Sequence, residues 1–98
     1  MIRQVVLRPE AEEDIQRAYD YLEQVRPGSG RKFSAKLRES FQRIETNSEA
    51  FGVVWEGVRA VRVKKFHHVV YYVISGDMVE VLAVLHGSRD DFAWKSRV

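Results

Sequence analysis

The sequence predicts an α+β domain in the order β-αα-βββ, with a helical hairpin packed on an antiparallel-dominated sheet. Three observations predict it. The first half carries two apolar stripes at three- and four-residue spacing, separated by Pro27-Gly28-Ser29-Gly30. The C-terminal third holds three short β-branched or alternating runs, with Gly76-Asp77 between the last two. A short β-branched run opens the chain. At 98 residues, 45% hydrophobic and 11% aromatic, residues 1–98 suit one packed domain with a modest core.

Taken in order, Ile2 to Leu7 predicts a strand. Pro9 stands where a helix can begin, because its missing N–H has no helical partner there. Glu10, Glu12, Glu13 and Asp14 then suit the positive end of the helix dipole. Ala11, Ile15, Ala18, Tyr19, Leu22 and Val25 form the buried stripe, which ends near Val25-Arg26. Ser29 is a plausible N-cap for the second helix, whose stripe is Phe33, Leu37, Phe41 and Ile44. The pattern fades at Thr46-Asn47-Ser48. The stretch to Gly57 reads as a loop anchored by Phe51, Val53, Val54 and Trp55.

Three strands follow, over Val58 to Val63, Phe66 to Ile74 and Met78 to His86. Strict alternation puts Val79, Val81, Ala83 and Leu85 opposite Glu80, Leu82, Val84 and His86. Both faces are largely apolar, so helices cover one and something else, such as a partner, covers part of the other. Asp90 to Val98 predicts a short helical turn with Phe92 and Trp94 available for packing.

Composition excludes several functions. There is no cysteine, so disulfides, thiolate chemistry and Cys-ligated zinc are ruled out, and a cytoplasmic chain is expected. No apolar run approaches a membrane span, and the N-terminal apolar stretch is too short for a signal peptide. Gly28-Ser29-Gly30 lacks the Lys-Ser/Thr of a phosphate loop, and no Ser/His/Asp set is visible. No cofactor or metal is expected. Net charge is +2, but residues 50–98 hold seven basic against five acidic side chains. Arg59, Arg62, Lys64 and Lys65 fall between residues 58 and 66, with no acid between Val58 and Asp77.

Clustered cations on a sheet attract phosphate or an acidic protein surface. An ordinary solvated strand, with Lys blunting an edge, explains them equally well. By parity Arg62 and Lys64 share one face and Arg59 and Lys65 the other, unless a turn intervenes near 64–65. His86 is a candidate acid or base. His67 and His68, being adjacent on a strand, are expected on opposite sides. Arg89 follows the last strand at a sheet end, where a side chain can reach a ligand. Tyr71, Tyr72 and Trp94 could stack on a base, though packing accounts for them more simply.

Several short pieces, in this order, resemble the RelE/ParE superfamily of bacterial toxins, ParE-like members more than RelE-like ones. They are Arg8-Pro9-Glu10-Ala11 with Asp14-Ile15, the helical hairpin, Gly57-Val58-Arg59, the run from Phe66 to Val73, and the run from Val81 to Asp90 ending His86-Gly87-Ser88-Arg89-Asp90. The resemblance implies the growth-inhibiting toxin half of a type II toxin–antitoxin (plasmid stabilization) system, held by a cognate antitoxin in a hetero-oligomer. A ParE-like member inhibits DNA gyrase by binding, and Arg89, Phe92 and Trp94 would belong to its target-binding surface. A RelE-like member is instead an endoribonuclease acting on ribosome-bound mRNA. Arg59, Arg62, Lys64 and Arg89 would then hold the phosphate, with His86 as acid or base. RelE-like members often carry a catalytic Tyr near the C-terminus, whereas this chain has none after Tyr72. A non-toxic antitoxin-binding module is the third possibility. Whether the chain is an enzyme stays open at this point.

Overall fold

The computed structural model describes residues 2–88 and 92–98, with the side chains at 92 and 93 excepted. The elements are β1 (Gln4–Leu7), α1 (Pro9–Val25), α2 (Ser29–Asn47), β2 (Val53–Trp55), β3 (Val58–Arg62), β4 (His68–Ser75), β5 (Met78–His86) and α3 (Phe92–Lys95). One mixed sheet runs in the order β1-β5-β4-β3-β2. β1 lies parallel to β5, and the other neighbours are antiparallel. The expected α+β architecture is present, with one strand more than expected. Val53–Trp55, read as loop, pairs with β3.

The helical hairpin covers one face of the sheet. Ala11, Ala18, Phe33, Leu37 and Ile44 pack on Val61, Val63, Val70, Tyr72, Val79, Val81 and Val84. The hairpin's corner is held by a carboxylate rather than by Ser29, which is the first helical residue. Glu23 Oε1 accepts from the N–H groups of Gly28, Gly30 and Arg31. These bonds, that of Gly28 foremost, lower the Glu23 pKa against a smaller opposing effect of burial. Glu23 thus serves as a cap from the end of the preceding helix.

The other face packs Val58, Leu82, Ala83 and Leu85 around Trp94, with Trp55, Tyr71 and Val73 beside them. Much of its cover therefore comes from the chain's own C-terminal turn. Alternation along β5 breaks at Leu82: Tyr72 pairs with Val81 and Tyr71 with Ala83. This bulge sends Val84 to the helix side and both Leu82 and Ala83 to the other. Val84, expected opposite Val81, therefore shares its face.

Candidate functional site

Arg59 parts from the other cations of the β3 region, which gather around one groove. Arg59 turns its guanidinium onto the carbonyls of Glu49 (3.0 Å) and Phe51 (2.6 Å), tying the loop before β2 to the sheet. Arg62 donates from Nε to the Phe66 carbonyl (2.9 Å) and from Nη2 to His67 Nδ1 (3.2 Å). A turn does intervene after β3. Lys65 adopts φ 68° and Phe66 N donates to Val63 O. Lys64 and Lys65 are exposed on this turn, beside Arg62, Lys36 and Arg43 around one groove.

The histidines do converge, contrary to strand parity. His67 precedes β4 and escapes its alternation, because the turn at Lys65 has reset the chain direction. Its ring lies 5.6 Å from that of His86, and the His68 ring lies 5.5 Å from His86. Arg62 donates to His67 Nδ1 and the Ser88 N–H donates to His86 Nδ1 (3.2 Å), so each neutral ring carries its proton on Nε2. Arg62, His67, His86, Gly87 and Ser88 line one shallow pocket. His68 lies deeper, edge-on to Phe33 at 4.9 Å. Burial, then the charges of His86 and His67, lower its pKa.

Asp14 is the polar residue that pattern reading missed. Its side chain is fully buried and accepts from Arg97 Nη1 (2.6 Å), Arg97 Nη2 (3.3 Å) and the Val84 N–H (3.1 Å). The bulge at Leu82 presents that N–H to it. A signal existed: Asp14 lies three residues after Ala11 and four before Ala18, within the buried stripe.

The C-terminal residues are held from several sides. Trp94 is 4% exposed, stacked on Tyr71 at 4.6 Å and edge-on to Trp55 at 6.0 Å. Arg8 pairs with Glu80 (2.6 Å) and donates to the Arg97 carbonyl. Trp94 and Tyr72 are thus unavailable for stacking on a base. Tyr72 is fully buried and its hydroxyl donates to Ser48 O at 2.7 Å. Burial raises its pKa, opposed by the charge of Arg59. Arg89 and the side chain of Phe92 lie outside the described residues. Among the described residues no group of three or more His, Asp or Glu side chains is placed to hold a metal, and no helix is long and apolar enough to cross a membrane.

Known proteins resemble this arrangement. A chain from the chromosomal ParDE toxin–antitoxin system of P. aeruginosa superposes with a TM-score of 0.76 at 16% identity, over 87% of this chain and 96% of that one. The YoeB dimer of Staphylococcus aureus matches at 0.58 and 18% identity, over 86% and 95%. The E. coli DinJ-YafQ toxin–antitoxin complex matches at 0.59 and 14%, over 90% and 96%. At such identities these likenesses concern the fold. No curated protein matches the sequence. The family model described as the ParE toxin of the type II toxin–antitoxin system parDE matches residues 5–91, and the chain belongs to that ParE toxin family.

Proposed function

We propose that the chain is the toxin of a type II pair that inhibits DNA gyrase by binding, with no proton-transfer chemistry of its own. A cognate antitoxin neutralises it, and it acts in the cytoplasm. The observation that carries this reading is the separation of Arg59, Lys64 and Lys65 from the histidines. Phosphodiester cleavage needs cations gathered on one phosphate with an acid or base in reach. Here Arg59 is committed to two backbone carbonyls, while Lys64 lines a groove that the histidines do not share. The effector surface is the C-terminal segment. Arg89 and Phe92 meet the target there, and Trp94 anchors the segment to the sheet. The test is pulse labelling in bacteria that express the chain without its partner. Thymidine incorporation falls before methionine incorporation if gyrase is the target; the reverse order overturns the reading.

The pocket of Arg62, His67, His86 and Ser88 favours a second reading, an endoribonuclease acting on ribosome-bound mRNA. His86 would then transfer the proton and Arg62 hold the phosphate. Under that reading His86→Ala and Arg62→Ala abolish mRNA cleavage and spare antitoxin binding. Under the gyrase reading neither change affects growth arrest beyond its effect on folding.

A further inference from the structure

The sheet has two edge strands, β2 and β1, and they differ. β2 is three residues long and is broken by a bulge between Val53 and Trp55, a feature that blunts an edge. β1 is regular. Gln4 N donates to Asp77 O (3.2 Å) and Arg8 N to Val81 O (3.0 Å), so the even-numbered residues of β1 turn their N–H and C=O groups towards β5. Val5 and Leu7 therefore turn theirs away from the sheet, and neither N–H has a partner among the described residues. The outward position before them is closed, because Arg3 N donates to Glu45 O in the last turn of α2 (2.9 Å). The side chains here carry no free charge. Arg8 pairs with Glu80 (2.6 Å) and Arg3 with Glu49 (2.9 Å), while Gln4 is neutral and exposed. Val6 is 37% exposed, and the exposed Met78 lies opposite Gln4. β1 thus lacks the lysine, bulge or proline that usually protects an edge.

We infer that β1 pairs with β1 of a second copy of this chain, antiparallel about a two-fold axis through Val6, so that the two five-stranded sheets join into one. Symmetry supplies the first reason. The open groups lie one residue before Val6 and one residue after it. Pairing centred there sets Val5 against Leu7 of the second copy and Leu7 against its Val5, and each pair exchanges both of its hydrogen bonds. Each copy then satisfies the open groups of the other, as a closed isologous contact requires. The side chains supply the second reason. The two Val6 side chains meet as a close, non-hydrogen-bonded pair, apolar on apolar. Charge supplies the third. Arg8 falls opposite Gln4 of the second copy. Its Nε and Nη1 are taken by Glu80 and the Arg97 carbonyl, which leaves Nη2 for the Gln4 amide oxygen. No like charges meet, and a foreign strand would gain the backbone bonds without this match. The contact uses neither Arg89, Phe92 nor Trp94, so the inference does not depend on the toxin's target.

The test is sedimentation velocity of the purified full chain from low micromolar to millimolar concentration, where a monomer–dimer equilibrium is expected. Val6→Lys sets two ammonium groups against each other and should weaken the dimer by roughly tenfold or more. Val54→Lys, the same change at the other edge, should leave it as it is. Val6→Glu should also weaken it, and an equimolar mixture of Val6→Lys and Val6→Glu should restore it. Circular dichroism checks that each variant is folded. The chain has no cysteine, so cross-linking reads the register. Val6→Cys should give a disulfide-linked dimer on mild oxidation, whereas Gln4→Cys, which faces Arg8 of the second copy, should not. Four outcomes overturn the inference: a monomer at every concentration, a dimer indifferent to Val6→Lys, a mixture of the two charged variants that stays monomeric, or equal cross-linking from positions 4 and 6.

Discussion

Asp14 receives hydrogen bonds from one backbone N–H and from both terminal nitrogens of Arg97, at a site with no exposed carboxylate surface. Asp14→Ala leaves the Val84 N–H without its acceptor and a largely buried guanidinium without its counter-charge, holding only the Leu82 carbonyl (3.3 Å), and should cost about 3 kcal/mol by urea denaturation. Asp14→Asn keeps an acceptor for Val84 and should cost about half as much. Equal losses would mean that the ion pair contributes little beside the backbone bond. His68 makes the fold sensitive to pH in a defined direction. Its pKa is lowered in the folded chain by burial and by its two histidine neighbours, so the unfolded chain binds the proton more readily. The contribution is complete above the ordinary histidine value of about 6.5 and is lost as pH falls below it, down to the folded pKa. The thermal midpoint should fall on acidification from about pH 7.5 to 5, and the fall should be shallower in His68→Phe, which preserves the contact with Phe33. Parallel curves for the two proteins would remove His68 as the cause.

The helical hairpin is closed at its corner by Gly30, where α2 starts against the end of α1. A Cβ there would meet the Tyr19 carbonyl at 2.9 Å and Glu23 Cγ at 2.7 Å. The side chain can shift, but the carbonyl belongs to a helix. Gly30→Ala would gain about 0.5–1 kcal/mol from lower chain entropy and lose about 1–3 kcal/mol by overpacking. A net destabilisation of about 1 kcal/mol is expected in urea, and unchanged stability would show that the helices part without cost. At this scale much of the architecture was legible in the sequence. Apolar spacing and Pro9 located both helices, and Gly76-Asp77 located the β4–β5 hairpin. What escaped was local. β2 is three residues long, and its turn to β3 passes through Glu56 and Gly57 at φ 35° and 81°. Such a turn favours Asn or Asp before Gly, and Glu there gives only a weak signal. The bulge at Leu82 sits in a run apolar on both faces, where a slip of one residue leaves no trace in the pattern. The histidine cluster was hidden for a related reason, since parity holds only within a regular strand and His67 lies just outside one.

At the scale of the whole molecule the last residues act as a clasp across the layers. Trp94 covers the outer face of the sheet, while Arg97 reaches Asp14 on α1 beneath the helical layer, and Arg8 and Glu80 bind along the β1–β5 seam. Two variants probe its two ends. Trp94→Ala uncovers Tyr71, Leu82 and Leu85 and should cost about 3 kcal/mol, with increased binding of an apolar dye. Asp14→Ala releases Arg97 from the other side. Residues that do not share a partner usually have additive effects, whereas these two hold the same short segment. Once either end is free, less remains for the other to hold. The double variant should therefore lose about 1 kcal/mol less than the sum of the single losses. Additivity within about 0.5 kcal/mol would mean that the two contacts are independent. The coupling also bears on function, because Arg89 and Phe92 belong to the proposed effector surface and lie on the stretch between the sheet and this clasp. Growth arrest by Trp94→Ala should fall further than its folded fraction, while Glu23→Gln, which weakens the distant hairpin corner, should fall only in proportion to it. Proportional loss in both would make the C-terminal segment purely a structural clasp and place the effector surface elsewhere.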